Sequence, residues 1–369
     1  MLFKNKKKNI FLVAGRTGGP FFPIPKIISV LGEFNPIIIG VKNSFEERVC
    51  NAEKLELVYL PEAKLNFLSF KNPSVLDKVK GFFDLIWNLI KLKVSFWICV
   101  FQLLRYQPKM IYTTGSFLAV PLFWASRILN FLRLTSTKLV VHQQDPLPGL
   151  SNRICVKISD LTSCVFEHTK LNYISFKDSF VIQNPILESK FEPKSIWQNT
   201  ELQSFVVEKK KPTILIFGGG SGAKFINDWV IENKDSLTQN FNIVHLTGIL
   251  QKDSQKMTES ENYFSTQAIF EDMPQLLSSV DFVLCRAGLG TISELEFLHK
   301  KAFIIPLPDS HQELNAELVK DKFVILEQKN SDLWLDTILG KSIFADKGFD
   351  LKIEKYDGDY YQRLKGLLD

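Results

Sequence analysis

The chain has 369 residues, of which 45% are hydrophobic and 23% charged, which is too apolar for a disordered protein and long enough for two domains. The net charge of +5 is unevenly spread: residues 1–186 carry 24 Lys and Arg against 12 Asp and Glu, whereas residues 187–369 carry 21 against 28. A basic first half suits an anionic lipid surface, a phosphorylated substrate or no partner, but its dispersed charges and the lack of a known motif argue against nucleic acid.

Short β-rich runs alternate with longer amphipathic stretches in the first half of the chain, which predicts βαβ units and a parallel sheet. Helices are expected in the intervening stretches, including Ile24–Leu31 and one or two helices within Pro73–Tyr106. The predicted strands are Asn9–Ala14, Pro36–Val41, Leu57–Leu60, Met110–Thr113, Lys138–His142, Leu161–Phe166 and Phe180–Ile182.

A second series of alternating elements follows Asn184-Pro185, and the polar stretch Glu188–Lys211 is predicted to cross between two domains. Its predicted strands are Thr213–Phe217, Asn242–Leu246, Ala268–Phe270, Phe282–Cys285, Phe303–Pro306 and Phe323–Leu326. Its predicted helices are Ala223–Ile231, Met273–Ser278, Thr291–His299 and Glu313–Lys320, with a terminal helix over Asp350–Leu368.

This order of elements predicts an α/β fold with two Rossmann-like domains that have parallel sheets and face each other across a cleft. The first domain would comprise residues 1–186, with the C-terminal helix of residues 350–369 packing back on it, and the second would comprise residues 187–349. In such sheets ligands bind beyond the carboxyl ends of the strands, so two domains predict two ligands.

The five cysteines are scattered and form no C-x-x-C pair, which predicts reduced thiols, a cytosolic chain and no zinc site. The apolar stretch Gly81–Leu104 is interrupted by three charged residues, so that only Val94–Leu104 is uncharged. This run is shorter than the ~18–20 residues of a membrane-spanning helix. We therefore expect no transmembrane helix, and also no bound metal and no cofactor.

Three glycine-rich turns, Gly15–Pro20, Gly218–Ala223 and Arg286–Thr291, each follow a predicted strand and precede a helix. Glycines let the backbone approach an anion closely, and the helix N-terminus adds N–H donors. The second turn is the strongest phosphate-site candidate because it has four glycines in five positions. Arg286, the first residue of the third turn, suits a phosphate. Glu294, in the helix that follows this turn, suits either ribose hydroxyls or the positive end of its own helix.

Two polar loops also follow predicted strands. The loop Pro306–Ala316 is rich in hydrogen-bonding side chains, which is typical of a site for a polyhydroxylated ligand. The loop Gln143–Asn152 contains Asp145, which is either a general base or a residue that caps the following proline turn.

The order and spacing of these motifs, from about Asn9 to about Lys329, resemble the MurG-type UDP-N-acetylglucosamine transferases. The family pairs N-P and D-M have counterparts in Asn184-Pro185 and Asp272-Met273. The longer motifs are G-G-T-G-G-H-x-x-P at Gly15–Pro23, H-E-Q-N-x-x-P-G-L-x-N at His142–Asn152, G-G-S-Q-G-A at Gly218–Ala223, and C-R-[SA]-G-x-x-T-x-S-E at Cys285–Glu294. A last stretch, Pro306–Ala316, is similar to P-x-x-x-x-x-H-Q-x-x-N-A, with four residues in place of five between Pro306 and His311.

The resemblance implies a GT-B fold and inverting transfer of N-acetylglucosamine from UDP-N-acetylglucosamine to the 4-hydroxyl of undecaprenyl-pyrophosphoryl-N-acetylmuramoyl-pentapeptide (lipid I), giving lipid II for peptidoglycan. It implies that Thr17, Gly18 and Gly19 bind the acceptor pyrophosphate, and that Asp145 and His142 are the candidate bases. The implied donor-binding residues are Gly219, Gly220, Ser221, Ile269, Phe270, Arg286, Gly288, Glu294, His311 and Gln312.

The resemblance also implies a peripheral protein at the cytoplasmic face of the bacterial inner membrane, where the basic first domain would dock on anionic lipid. The aromatic stretch Phe82–Phe101 would lie in the membrane interface, or else be buried in the core of the domain.

Several positions differ from the family motifs. Pro20 replaces the final histidine of the first motif, Gln143 and Asp145 replace the Glu and Asn of H-E-Q-N, and Leu187 replaces an arginine after the N-P pair. Three hypotheses remain: the same reaction with different residues, a diacylglycerol glycosyltransferase of similar fold, or a catalytically silent nucleotide-sugar-binding paralogue.

Overall fold

The computed structural model describes residues 7–15, 18–61, 75–173, 179–192, 197–208, 211–220, 222–249, 260–269, 271–340 and 357–368. The chain divides into two compact units. The first domain comprises Met1–Leu187 with Lys355–Asp369, and the second comprises Glu188–Glu354.

The first domain is built on a seven-stranded sheet, sheet A, in which every neighbouring pair of strands is parallel. Its order is β3-β2-β1-β4-β5-β6-β7. The strands are β1 (Asn9–Val13), β2 (Asn35–Gly40), β3 (Glu56–Tyr59), β4 (Met110–Thr113), β5 (Lys138–Gln143), β6 (Leu161–Cys164) and β7 (Ser179–Val181). The central strands are continuous apolar runs because both faces of the sheet are covered.

Seven helices of the first domain follow its strands. One face of sheet A buries Cys99 and Leu103 of the longest helix together with Phe123 and Cys155 of the next two. The helices are α1 (Gly18–Phe21), α2 (Ile24–Val30), α3 (Phe45–Glu53), α4 (Val75–Tyr106), α5 (Ala119–Phe131), α6 (Leu150–Val156) and α7 (Glu167–Tyr173).

The second domain contains a six-stranded parallel sheet, sheet B, of order β10-β9-β8-β11-β12-β13. Its strands are β8 (Thr213–Phe217), β9 (Asn242–Leu246), β10 (Tyr263–Thr266), β11 (Phe282–Arg286), β12 (Lys301–Ile305) and β13 (Val324–Ile325). Its helices are α8 (Thr200–Val207), α9 (Lys224–Glu232), α10 (Lys234–Asn240), α11 (Met273–Ser279), α12 (Leu289–Phe297), α13 (His311–Glu317) and α14 (Trp334–Leu339).

The last helix, α15 (Asp357–Gly366), belongs to the first domain. Its Tyr360 and Leu364, with Leu368 just beyond its end, are buried against the second face of sheet A, together with Ile24 and Ile27 of α2. The two ends of the chain therefore share one hydrophobic core.

The structure confirms the predicted α/β class with two parallel sheets. The strand prediction at Ala268–Phe270 is wrong, because the edge strand β10 lies earlier and Ile269 packs into the core from the loop that follows it. The segment that connects the two domains is also shorter than the predicted Glu188–Lys211. Helix α8 lies within this stretch and buries Leu202 in the core of the second domain.

Helix α4 contains the segment Ile86–Tyr106, which by length and composition alone is long and apolar enough to cross a membrane. However, Ser95, Cys99 and Leu103 on one side of this segment are buried. The helix is therefore an integral part of the first domain. All five cysteines of the chain are free and buried.

Candidate functional site

The carboxyl ends of the parallel strands of sheet A lie at one edge, which we call edge A, and the loops after β1, β4 and β5 meet there. Pro20, in the first glycine-rich turn, accepts a hydrogen bond through its carbonyl from Thr114 Oγ1 at 2.5 Å, and Gln144 Nε2 lies 3.5 Å from the same oxygen. Gly15 packs closely against this proline, since a Cβ on Gly15 would lie 3.0 Å from the proline Cγ. The replacement of the family's histidine by proline thus leaves a turn that is anchored through its backbone.

Of the predicted acceptor-binding residues, Gly18 and Gly19 begin α1 at edge A, and Gly19 is exposed. Thr17 lies outside the described residues. The glycine pair therefore lies beyond the carboxyl end of β1, and its contact with an acceptor stays a prediction.

His142, in β5, is fully buried. Asn184 donates through Nδ2 to Gln144 Oε1, so Asn184 Oδ1 faces the His142 ring and accepts from Nε2–H over 3.3 Å. The other ring nitrogen, Nδ1, then accepts from Ser163 Oγ at 2.9 Å. Burial lowers the pKa of His142 to about 4, so its ring is neutral at pH 7. A neutral ring with both nitrogens bonded inside the core is placed to orient Asn184, and not to take a proton from an acceptor.

Asp145 lies two residues after β5 and is exposed. Its carbonyl oxygen accepts a hydrogen bond from Gln143 Nε2 at 2.6 Å, and Asn152 Nδ2 donates to Gln143 Oε1 at 2.5 Å. The loop that carries Asp145 is therefore tied to α6. Of the two candidate bases, only Asp145 is exposed, whereas His142 is fully buried.

Four further residues at edge A were not singled out as candidates on the basis of the sequence: Thr114, Gly115, Asn152 and Asn184. Gly115 adopts a φ of +115°, and a Cβ there would lie 3.2 Å from Asn152 Nδ2. The available signal was the T-T-G-S turn after a buried strand, at residues 113–116, which has the same strand–turn–helix context as the other glycine turns.

In sheet B the glycine-rich turn after β8 requires glycine on steric grounds. A Cβ on Gly218 would lie 2.2 Å from Ala223 Cβ, and Gly219 and Gly222 adopt φ values of +92° and +87°. The turn closes through a 3.0 Å hydrogen bond from Gly222 N to Gly219 O. Ser221 lies outside the described residues. This tight turn leads directly into α9, whose amino end supplies N–H donors suited to a phosphate.

Gly220 lies in the same turn and is exposed, and a Cβ added to it would have no atom within 4 Å. Its carbonyl accepts a hydrogen bond from Ile249 N at 3.1 Å, which joins the turn to the loop after β9. The space beside this glycine is open, so a ligand can approach its backbone.

Arg286, at the end of β11, is largely buried. Its Nη1 donates to Pro306 O at 3.1 Å and its Nη2 donates to Gln328 Oε1 at 2.9 Å. Burial lowers the pKa of its guanidinium. Arg286 thus joins the end of β11 to the segment after β12. These hydrogen bonds to the protein itself differ from the phosphate contact that its motif suggests.

Gly288 is the N-cap residue of α12, and Glu294 lies in the second turn of that helix. Burial raises the pKa of Glu294 to about 7, and the positive charge of Lys190 opposes this effect. Glu294 is thus a partly buried carboxyl group that titrates near neutral pH, a property common among ligand-binding carboxylates.

The loop after β12 leads into α13, where Ser310 caps the helix by accepting from Gln312 N at 3.2 Å. Gln312 Oε1 in turn accepts from Leu307 N at 3.1 Å. His311, the first residue of α13, is exposed. Asn315 Nδ2 donates to Ala287 O at 3.0 Å and so ties α13 to the turn after β11. The carboxyl ends of β11 and β12 therefore form one connected surface.

Ile269 is partly buried against the core of the second domain, and Phe270 lies outside the described residues. Asp272, of the D-M pair, accepts hydrogen bonds from Gln198 N at 3.0 Å and Asn199 N at 2.8 Å. This buried carboxylate fixes the start of α8, so its role here is structural. Within the part of the chain that the structure describes, no three His, Cys, Asp or Glu side chains are grouped to hold a metal ion.

Taken together, the carboxyl end of sheet B, edge B, offers a glycine turn and a helix start for an anion, with a titratable carboxyl group on α12. Edge A offers an anchored glycine turn, an amide network and an exposed carboxylate. The first arrangement suits a nucleotide diphosphate, and the second suits a polar group that must be deprotonated.

Family profiles match both domains. The glycosyltransferase family 28 N-terminal domain matches residues 10–162, and the glycosyltransferase family 28 C-terminal domain matches residues 213–341.

Similar proteins cover nearly the whole chain. The chain is 30% identical to the UDP-N-acetylglucosamine–N-acetylmuramyl-(pentapeptide) pyrophosphoryl-undecaprenol N-acetylglucosamine transferase of Staphylococcus aureus. The 326 aligned residues cover 87% of this chain and 78% of that protein. The chain is 27% identical over 344 residues to the enzyme of the same name from Bacillus pumilus, which covers 89% and 88% of the two chains.

Solved structures share the fold. The crystal structure of Acinetobacter baumannii MurG matches with a TM-score of 0.64 at 19% identity and covers 91% of each chain. Arabidopsis thaliana UGT89C1 complexed with UDP-L-rhamnose matches with a TM-score of 0.65 at 13% identity and covers 99% of each chain.

Proposed function

The chain belongs to the MurG-type N-acetylglucosamine transferases of glycosyltransferase family 28, and we propose on this basis that it transfers N-acetylglucosamine from UDP-N-acetylglucosamine to lipid I. The product is lipid II, the lipid-linked disaccharide used for peptidoglycan. The structural observation that carries the proposal is the turn after β8, where Gly218 has no room for a side chain and the chain enters α9 directly.

The donor binds at edge B in this proposal. Its pyrophosphate lies against the backbone of Gly219 and Gly220 at the start of α9, where N–H donors and the helix dipole stabilise the charge of the leaving UDP. Glu294 accepts hydrogen bonds from the ribose hydroxyls, and the backbone at Ile269 faces the uracil. Gln312 and His311 contact the sugar.

The acceptor binds at edge A, with its pyrophosphate against the turn that contains Gly18 and Gly19. The acceptor 4-hydroxyl oxygen attacks the anomeric carbon, and the bond from that carbon to the UDP oxygen breaks with inversion. The electron pair of the broken bond leaves with UDP, and the proton of the hydroxyl passes to a base. We assign that base to Asp145, because this residue is exposed whereas the ring nitrogens of His142 are bonded inside the core.

The first domain also docks on a membrane in this proposal. Helices α4 and α5 expose a row of large apolar side chains at helical spacing, which we call the apolar patch. Its members are between 41% and 86% exposed. They are Trp87, Ile90, Val94, Trp97, Phe101 and Leu104 of α4, and Trp124, Ile128 and Phe131 of α5.

Exposed Lys93 and Arg133 lie on the same two helices or directly after them, and Lys91 Nζ lies 5.8 Å from the centroid of the Trp87 ring. An apolar helix face with adjacent basic side chains is typical of proteins that lie in the interface of an anionic bilayer. On the other side of α4, Ser95, Cys99 and Leu103 are buried in the domain, which favours a helix that lies along the membrane surface. The protein is accordingly peripheral, at the cytoplasmic face of the bacterial inner membrane.

The reaction is tested by measuring UDP release from UDP-N-acetylglucosamine by the purified protein, with and without a short-chain lipid I analogue. We expect release that depends on the acceptor, and a loss of at least about 100-fold in kcat for Asp145→Asn, in line with the usual contribution of a general base. Glu33→Gln, which converts an exposed carboxylate to an amide just before β2, at the amino ends of the strands of sheet A, is the matched control and should retain activity.

Each alternative hypothesis predicts a different result. Release that depends on diacylglycerol and not on the lipid I analogue identifies a diacylglycerol glycosyltransferase. Binding of UDP-N-acetylglucosamine without release, with any acceptor, identifies a silent nucleotide-sugar-binding protein and refutes the proposed activity.

A further inference from the structure

The side-chain amide of Gln143 bridges two loops at edge A. Gln143 is the last residue of β5 and is only 2% exposed. Its Nε2 donates to the carbonyl oxygen of Asp145 at 2.6 Å, and its Oε1 accepts from Asn152 Nδ2 at 2.5 Å. Both ends of one buried amide are therefore used, one to hold the loop that carries Asp145 and the other to hold α6.

This bridge requires a group that donates at one end and accepts at the other. An ionised carboxylate at position 143 could accept from Asn152, but its second oxygen would face the carbonyl oxygen of Asp145 at 2.6 Å with no proton between them. The family motif H-E-Q-N has a carboxylate at this position and an amide two residues later. In this chain the two groups are exchanged, so that the buried position is neutral and the carboxylate is at the exposed position 145.

Asn152 extends the bridge to a third loop. A Cβ added to Gly115 would lie only 3.2 Å from Asn152 Nδ2. The turn after β4 therefore packs directly on the Asn152 side chain. Asn152 is 3% exposed, and its Oδ1 has no hydrogen-bond partner within the described part of the chain. Both Asn152 and Gln143 are thus enclosed by the fold, so they act on the loops and do not contact a bound molecule directly.

We propose that Gln143 is a positioning residue for the acceptor, which through Asn152 and the Asp145 carbonyl holds the loop that presents the Asp145 carboxylate. The inference rests on the proposed function, in that edge A binds the acceptor. Its consequence is that in this chain, where Asp145 replaces the family's Asn two residues later, position 143 must be neutral for the acceptor to bind.

The test compares Gln143→Glu with the wild-type chain between pH 5.5 and pH 9. A glutamate with a protonated carboxyl group donates and accepts as the native amide does, and burial raises the pKa of such a group. The KM for the lipid I analogue should therefore be near the wild-type value at the acidic end of the range. It should rise to about tenfold above the wild-type value at the alkaline end, as expected for the loss of about one hydrogen bond. The KM for UDP-N-acetylglucosamine should stay unchanged.

Two further variants isolate the effect. Gln143→Met keeps the length of the side chain but loses both hydrogen bonds, so its acceptor KM should be raised by a similar factor at every pH. Gln107→Glu makes the same chemical change just before β4, at the amino ends of the strands of sheet A. Its KM for the lipid I analogue should match the wild-type value at every pH. Asp145, His142 and Arg153, whose Nε donates to Pro148 O, are ionisable groups on the segments that the bridge joins. These groups are common to all the proteins, so the ratio of KM values reports only position 143.

Hydrogen exchange gives a second readout that does not depend on turnover. In Gln143→Glu, the backbone amides of the non-proline residues in 144–150 should lose protection relative to wild type at alkaline pH and regain it at acidic pH. Unchanged protection across the range overturns the bridge even for a protein without activity. Changed protection with an unchanged acceptor KM overturns its role in acceptor binding. No release by the wild-type chain with any acceptor refutes the proposed function separately.

Discussion

Removing two aromatic side chains from the apolar patch should detach the protein from anionic vesicles. Trp97 and Phe101 lie one helical turn apart on α4 and are 62% and 60% exposed. With ~200 Å² for a typical large aromatic side chain, the two expose roughly 240 Å². At ~25 cal/mol per Å², complete transfer from water would contribute about 6 kcal/mol, and half immersion about 3 kcal/mol. The variant Trp97→Gln with Phe101→Gln should therefore bind on the order of 100-fold more weakly.

Vesicle flotation with a phosphatidylglycerol-containing bilayer measures this partitioning. Glutamine is a good helix former, and neither native side chain is buried, so the free energy of unfolding should change by less than about 0.5 kcal/mol. Exchange of Ile231 and Leu333 for glutamine is the matched control, because these side chains are 51% and 57% exposed on the second domain. Binding should also weaken with added salt, since part of the attraction is electrostatic.

Two results would refute this reasoning. Undiminished vesicle binding by the Trp97 and Phe101 double variant would show that α4 does not enter the interface. An equal loss for the Ile231 and Leu333 variant would show that exposed apolar residues contribute without regard to position.

Three other predictions concern the turn after β8 and the titrating groups. Gly218→Ala should destabilise the second domain by several kcal/mol in urea unfolding, because the added Cβ would lie 2.2 Å from the Cβ of Ala223. Gly220→Ala should leave the stability unchanged, since a Cβ there meets no atom within 4 Å, but should weaken UDP-N-acetylglucosamine binding measured by calorimetry. Because the pKa of Glu294 is raised to about 7, UDP-N-acetylglucosamine affinity should increase as pH rises from 6 to 8, and Glu294→Gln should abolish this dependence. Burial lowers the pKa of His142 and His245 to about 4, so the unfolded chain binds more protons than the folded chain between pH 6.5 and pH 4. The free energy of unfolding should therefore fall by about 3 kcal/mol per histidine as the pH decreases through this window. Exchange of both histidines for glutamine should flatten this dependence on pH.

The alternation of buried strands and glycine turns was sufficient to predict the fold class. The strands Thr213–Phe217 and Asn242–Leu246 agree with prediction at both ends, because a strand buried on both faces is a continuous apolar run with polar residues on either side. The edge strand Tyr263–Thr266 was missed because an edge strand is only partly covered, and the more apolar segment at 268–270 was chosen instead. Tyr, Phe and Thr favour strands, so propensity carried the signal that hydrophobicity did not.

The candidate site was less accessible to prediction from the sequence. Glycine turns are local, and their place after a strand can be recognised from a few residues. The contacts that shape edge A join distant positions, such as Thr114 with Pro20 and Asn184 with His142, and no local pattern encodes them. A motif also does not reveal whether its residue contacts a ligand or the protein. Arg286 and Asp272 each belong to a motif, and each forms hydrogen bonds with the protein's own backbone.

The burial of every cysteine makes the native protein resistant to thiol reagents. Burial raises the pKa of the thiols of Cys99, Cys155 and Cys164 to about 12, so almost no reactive thiolate exists at pH 8. Alkylation of these residues then requires opening of the first domain, whereas alkylation of Cys285 requires opening of the second. The wild-type chain therefore carries an internal reporter of unfolding in each domain, and a single cysteine added at the surface would take up a spectroscopic label selectively without removal of any native thiol.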